Sequence, residues 1–283
     1  MHNKVSFLDD IELLDISIKS DIDNLWCREL FDVSKLRKIN QGEGIKVAVL
    51  DTGEPNHKDL NIYGSANFTR CNEYDAVGHS THICGIIAGQ DDKLYGVAQN
   101  VELYTVKVLD DNGFGSFNDI QQGIEWCYEH EIHIINLSLG AQNRPNNDKK
   151  IVSIIEACNK KGITCISSSG NSPTPHSTYP AHYDGVLSVG AIDSKHNSEE
   201  WSCVDCDFVA PSSAYSTHLN NSYARMRGTS QSAAFITGLV ACIKSYYNEP
   251  FMKYDNVRFA LYNTVKNALP YPNKIGGEME CRG

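Results

Sequence analysis

Five short and almost unbroken apolar runs constrain this chain more than any other feature. They are "IKVAVLDTG" (45–53), "VELYTVKVL" (101–109), "IHIINLSLG" (132–140), "ITCISSSGN" (163–171) and "GVLSVGAID" (185–193). Each is rich in Val and Ile and lacks the alternation of a strand with one wet face, which predicts strands buried on both faces of a parallel sheet. Helices are predicted between and after them. "SFNDIQQGIEWCYEHE" starts at a capping serine, Ser116, and "NDKKIVSIIEACNKKG" ends at a terminating glycine, Gly162. "TSQSAAFITGLVACIKSYY" and "KYDNVRFALYNTVKNA" follow the last run. Alternation of this kind gives an α/β fold, a doubly wound and mostly parallel sheet with helices on both faces.

Ligands bind such sheets outside the carboxyl ends of the strands, and that rule selects the residues to weigh. Asp51 ends the first run, Ser138, Leu139 and Gly140 end the third, and Gly170 and Asn171 end the fourth. His79 and Ser230 stand at the entrances of two helices. A carboxylate, an imidazole and a hydroxyl are therefore expected on one rim.

With 283 residues, 41% of them hydrophobic, the chain has material for one large core, and no linker or repeat divides it. A short N-terminal extension (1–40) ahead of one domain (41–283) is the simplest organisation. The net charge of −10, without clustered Lys and Arg, argues against nucleic acid as a partner. No run approaches the ~18 apolar residues of a membrane span, and the N-terminus lacks the pattern of a secretory signal. Ten cysteines scattered singly among apolar residues read as reduced thiols, which implies a soluble, cytoplasmic protein. The close pair Cys203-Val-Asp-Cys206 has no second pair at metal spacing, so a free surface turn is expected there rather than a zinc site.

"GHSTHICG" (78–85) carries two histidines three residues apart, His79 and His82, on one face of a predicted helix. Metal ligation, general-base chemistry and plain burial all fit that spacing. A zinc helix of the H-E-x-x-H type is disfavoured, because the i, i+4 spacing and the glutamate are both missing. A serine hydroxyl becomes a useful nucleophile when an imidazole takes its proton and a carboxylate holds that imidazole in one tautomer. Asp51, His79 and Ser230 can supply those three groups.

Five blocks, "VAVLDTGEPNHKDL" (47–60), "GHSTHICGIIAG" (78–89), "INLSLG" (135–140), "SSSGN" (167–171) and "RGTSQSAAFITG" (227–238), resemble the successive signatures of the subtilisin-like serine proteases, in order and at similar spacings. The resemblance implies a serine endopeptidase acting on protein or peptide substrates. It assigns Asp51, His79 and Ser230 to the triad, in the chain order Asp, His, Ser, and leaves His82 structural. It makes Asn171 the side-chain half of an oxyanion hole whose other half is the Ser230 N–H. Taken alone, Ser230 also reads as a helix cap and Asn171 as a turn residue.

By the same resemblance the substrate pairs as an added strand with "NGFGS" (112–116) and "LSLG" (137–140), using Gly113, Gly115, Ser138, Leu139 and Gly140. Phe117 is expected to wall a distant subsite, Gly170 to flank the cleft, and Thr178 to lie at the floor of the primary pocket, favouring small or medium P1 side chains. Asp110, Asp111 and Asp119 read as a solvated loop, with tolerance for basic substrates as the alternative.

No cofactor is implied and no metal ligand is assigned. The loop "GQDDKLYG" (89–96) is shorter than a tight calcium loop, with Asp91 and Asp92 leaving room for a weak structural calcium only. Ser80, Gln231, Ser232 and Phe235 depart from the family pattern without removing a triad group. The extension is too short for a folding prodomain and is similar to the short cleft-covering extension of intracellular subtilisins. Residues 11–18, "IELLDISI", are expected either to pair with the substrate-binding backbone or to pack elsewhere. The rival reading is a catalytically silent binding or scaffold protein on the same fold. An α/β-hydrolase esterase is excluded by the absence of a G-x-S-x-G elbow and by Ser230 coming last.

Overall fold

A computed structural model describes residues 4–6, 40–92, 94–174 and 176–266. Each of the five apolar runs contains a strand: β2 (Lys46–Asp51), β4 (Glu102–Lys107), β6 (Ile134–Leu137), β7 (Thr164–Ser168) and β8 (Val186–Ile192). Two further strands, β3 (Ile62–Asn67) and β9 (Phe208–Pro211), complete a seven-stranded sheet in the order β3-β4-β2-β6-β7-β8-β9. Every pairing in it is parallel. The edge strand β3 escaped the sequence pattern because it alternates between half-buried and exposed positions, which is what an edge beside solvent allows.

Helices cover both faces. On one lie α1 (His79–Ala88), α4 (Thr229–Tyr246) and α5 (Tyr254–Lys266), which bury a cluster containing Val47, Val49, Ile83, Ile87, Ile236 and Leu239. On the other lie α2 (Phe117–Glu129) and α3 (Lys149–Lys161), over Ala48, Leu50, Val106, Ile120, Ile124 and Ile155. Consecutive residues of β2 thus enter opposite cores, which is why the run shows no polar alternation. Helix α4 is buried from Thr229 through Lys244, as expected of a helix that is apolar nearly all round. Lys244 is accommodated by three carbonyls, those of His133, Gly162 and Pro250, at 2.9–3.1 Å.

Local signals behave as read. Ser116 caps α2 through a reciprocal box with Asp119, worth about 1 kcal/mol. Gly162, at φ 92°, ends α3 in the left-handed conformation. Two small sheets lie outside the sequence expectation: the hairpin of β10 (Ser213–His218) and β11 (Ser222–Arg227), and a pair in which β1 (Lys4–Ser6) lies beside β5 (Phe114–Ser116). The strand order reverses between β2 and β6, with Asp51 and Ser138 at the carboxyl ends on either side of the crevice.

Candidate active site

Asp51 is the last residue of β2 and His79 the first of α1, and both are fully buried. His79 Nδ1 lies 2.7 Å from Asp51 Oδ1, an oxygen that also accepts the Thr52 N–H at 2.7 Å. Burial pushes the Asp51 carboxyl up from its ordinary range, against the downward pull of the His79 imidazole and of the Thr52 N–H. The loop leading into α1 is shaped by Gly78, whose φ of 90° is left-handed and whose missing Cβ would meet the His218 ring at 2.4 Å.

Asp75 organises this corner, and the sequence reading missed it. Its Oδ1 accepts from Thr52 Oγ1 at 2.8 Å and from the Val77 and Gly78 N–H groups at 3.0 and 2.8 Å. Its Oδ2 accepts from the Thr81 N–H and Oγ1 at 2.8 and 2.7 Å. One buried carboxylate therefore joins the residue after Asp51 to the turn before His79. The available signal was an Asp four positions ahead of the histidine, a spacing suited to capping the turn that starts a helix. Lys107, the register partner of Asp51, is buried beside it and donates to the Thr52 carbonyl and, at 2.9 Å, to Asp111.

Ser230 is the second residue of α4, and the helix N-cap is Gly228 without any side-chain cap bond, so the capping role considered for Ser230 is not what the structure has. Ser138 Oγ lies 3.0 Å from Ser230 O, and Ser230 Oγ lies 3.3 Å from Ser138 O. Asn136 Nδ2 donates to Thr237 Oγ1 at 2.9 Å. These bonds tie the end of β6 to the first turns of α4. Asn171, after β7, accepts through Oδ1 from the Thr229 N–H at 2.9 Å and from Thr229 Oγ1 at 2.8 Å. A backbone N–H can only donate, so the amide oxygen is the end facing Thr229, and the Nδ2 donor is the end turned the other way. Gly170 N–H donates to Thr229 Oγ1 at 3.2 Å, closing the same junction.

The residues expected to contact substrate fall as follows. Thr178 is buried against both Gly140 and Gly170, where an added Cβ would come within 2.4 and 2.7 Å of its side chain. Gly115 lies where a Cβ would come within 2.3 Å of the Val108 carbonyl. Gly113, at φ 76°, forms a turn by donating its N–H to Asp110 O and stands outside β5. Leu139 is buried, and Phe117 packs half-buried against the cluster that contains Leu139 and Leu109.

The two segments expected to bind substrate are both paired with residues 4–6 of the chain itself. Val5 pairs with Gly115 and Ser6 with Phe114 in antiparallel register. Ser6 also exchanges both backbone hydrogen bonds with Gly140, at 3.1 and 2.9 Å. Val5 is fully buried in the cluster of Leu109 and Leu139. The expectation for residues 11–18 lies outside the described residues; the described strand of the extension is 4–6.

Several side chains take plainer roles. His82 Nε2 lies 3.1 Å from Ala224 O inside the core. Asp119 caps α2, Asp110 accepts the Asn112 and Phe114 N–H groups, and Asp111 pairs with Lys107. Ser80 N–H donates to Thr52 Oγ1, Ser232 Oγ lies 3.0 Å from Pro211 O, and Phe235 packs in the core. Asp91 accepts the Leu94 N–H at 2.7 Å. One expectation is corrected: Cys203 is buried, its thiol donating to Thr174 O at 3.3 Å, so the C-x-x-C turn does not present two surface thiols. Burial pushes that thiol up from its ordinary value, the reverse of what metal ligation needs.

A family model described as the subtilase family matches residues 42–277. Subtilisin DY from Bacillus licheniformis is 36% identical over 239 residues, covering 80% of this chain and 85% of that protein. Subtilisin Savinase from Lederbergia lenta is 37% identical over 231 residues, covering 79% of this chain and 84% of its own. An alkaline protease from Alkalihalobacillus alcalophilus is 37% identical over 231 residues, and there the match spans 60% of the relative's length. Parallel sheet, buried Asp–His pair and family match agree: the chain belongs to the subtilase family, and with it to the serine endopeptidases.

Proposed function

We propose that the chain hydrolyses peptide bonds through an acyl-enzyme formed on Ser230. The observation that carries this reading is the buried 2.7 Å contact between Asp51 and His79. That contact fixes the imidazole tautomer, leaving Nε2 to take the Ser230 proton as the hydroxyl attacks the scissile carbonyl. The proton passes to the leaving amine, and a water repeats the sequence to release the acid. Negative charge that develops on the carbonyl oxygen is met by the Ser230 N–H at the head of α4 and by Asn171 Nδ2. All proton traffic runs through side chains, so the reaction as proposed requires no cofactor.

An extended substrate would run antiparallel to Phe114–Ser116 on one side and to Gly140 on the other, with its P1 side chain over Thr178. The threonine methyl and hydroxyl narrow that floor, which favours small or medium P1 residues. The same backbone groups are taken by Lys4–Ser6 in a substrate-like direction. The N-terminal extension is therefore proposed to be autoinhibitory, competing with substrate until it is displaced or removed. The eight described cysteines are all free thiols, most of them buried, which suits a reducing, cytoplasmic compartment. Among the described residues no helix is long and apolar enough to cross a membrane.

The test is pre-steady-state hydrolysis of a p-nitrophenyl ester by the chain lacking residues 1–20. A burst of about one equivalent of nitrophenolate, absent in Ser230→Ala, is expected. A folded protein with neither burst nor turnover would move the chain to a binding role on the same fold.

A further inference from the structure

Among the described residues, one group of ligating side chains converges outside the triad: His176, His182 and Asp205. His176 Nδ1 lies 3.7 Å and His182 Nδ1 3.9 Å from Asp205 Oδ2, and the three ligand atoms all lie within 4.8 Å of one another. Ligand atoms about 2.0–2.1 Å from a tetrahedral zinc stand roughly 3.3 Å apart. Closing the triangle onto an ion therefore shortens the two separations at Asp205 by roughly 0.4 and 0.6 Å and the one between the imidazoles by up to about 1.5 Å. His182 is braced edge-on against Tyr179, with ring centroids 5.3 Å apart, while His176 is mostly exposed and able to swing.

We propose that these three residues bind a divalent cation of the zinc class, and that the ion staples two loops of the substrate-binding face together. Two imidazoles and one carboxylate suit zinc, cobalt or nickel, whereas calcium and magnesium prefer all-oxygen shells. Three protein ligands at a partly exposed site leave a position for water, which matches an open rather than a sealed zinc site. The sequence directed attention to Cys203 and Cys206 in this turn. The ligand supplied is instead Asp205 between them, and neither thiol joins the group.

The two loops are already laced together without an ion. Ser177 Oγ donates to Asp205 O at 2.9 Å, the Cys203 thiol to Thr174 O at 3.3 Å, and the Cys203 N–H to Gly170 O at 3.1 Å. The histidine-bearing loop begins at Asn171 and carries Thr178 two residues after His176. An ion bound there would restrict the segment that sets the primary pocket and the Asn171 amide. This coupling to catalysis rests on the function proposed above; the binding itself does not.

The experiment uses untagged full-length protein carrying Ser230→Ala, so that binding is read without turnover, after treatment with a chelator. Co2+ titration followed by visible d–d absorption, and Zn2+ titration followed by competition with a chromophoric chelator, should each give one equivalent. Zn2+ should raise the melting temperature. His182→Ala and Asp205→Asn should each weaken binding by at least about 10-fold, as expected for loss of a ligand. Cys203→Ser with Cys206→Ser should leave binding intact, and millimolar Ca2+ should not displace the ion. Absence of a stoichiometric site, binding indifferent to the His182 and Asp205 changes, or binding lost only with the cysteines would overturn the proposal. With Ser230 restored, the ion should change KM for substrates differing at P1. If binding holds but KM does not move, the site stands and its coupling to the pocket is refuted.

Discussion

Asn171 and Thr229 are joined twice, by hydrogen bonds of 2.9 and 2.8 Å from the Thr229 backbone and hydroxyl to one amide oxygen. Thr229 immediately precedes Ser230, so the amide proposed to stabilise the oxyanion is clamped to the backbone that carries the nucleophile. Preorganisation of this kind is what makes such a donor effective, since no reorientation is left for the reaction to drive. Asn171→Ala should lower kcat by about 10² to 10³, the range known for a side-chain oxyanion donor in a subtilisin. KM should change little. Thr229→Val keeps the N–H bond but loses the hydroxyl one and leaves the Gly170 N–H without its acceptor, and should cost roughly 10-fold, a loss of about 1–2 kcal/mol. Steady-state kinetics on one peptide substrate decides both.

Asp75 is a positioning residue that acts through Thr52 and the turn ahead of His79. Asp75→Ala would strand three backbone N–H groups and two hydroxyls in the interior, and should destabilise the fold by about 3–5 kcal/mol. Asp75→Asn keeps one acceptor oxygen and should recover much of that stability. It also removes a negative charge that opposes ionisation of Asp51. The acid limb of kcat/KM should then move to lower pH in Asp75→Asn, because a charge favouring protonation of the Asp51–His79 pair has gone. A purely structural role would leave the profile where it is.

Val5 anchors the N-terminal strand by burying its side chain completely. Burial of a valine is worth about 1.5–3 kcal/mol, so Val5→Asp should raise the fraction of open clefts by roughly 10-fold or more. Initial rates at low substrate should rise accordingly. A synthetic peptide of residues 1–10, added to a chain lacking residues 1–20, should inhibit competitively. An unchanged rate in Val5→Asp together with no inhibition by the peptide would remove autoinhibition from the account.

His133 supplies a pH dependence of stability. Its Nδ1 accepts the Lys46 N–H at 2.9 Å, its ring packs edge-on against Phe251, and burial with Lys244 nearby holds its pKa down to about 4. An unfolded histidine titrates near 6.5. Between those values the unfolded chain binds more protons than the folded one, so stability rises with pH across that window and falls as pH drops through it. Melting temperatures between pH 7 and 4 should show the decline, and His133→Asn, which keeps an acceptor without titrating there, should flatten it.

The strands at the centre of the sheet were legible because each is buried on both sides and spells that burial as an unbroken apolar run. Strand β3 was not, since an edge strand needs only one packed face. The hairpin β10–β11 draws its stability from packing against α1, through bonds such as Thr217 Oγ1 to Thr81 O at 2.7 Å, which no local pattern announces. Asp51, His79, Ser230 and Asn171 were legible as motif residues at strand and helix ends. Asp75 and the His176–His182–Asp205 group were not, because their partners are assembled by loops whose paths follow from the whole fold. Asp110, Asp111 and Asp119, read as loop residues, are used locally by a turn, a lysine and a cap.

The most direct test of the central claim is labelling by a fluorophosphonate probe under reducing conditions. The full chain, the chain lacking residues 1–20 and Ser230→Ala would be compared by intact mass. One adduct on Ser230 is expected, formed faster in the truncated chain and absent in Ser230→Ala. A folded truncated chain that forms no adduct, or one that still forms it after Ser230→Ala, would contradict it.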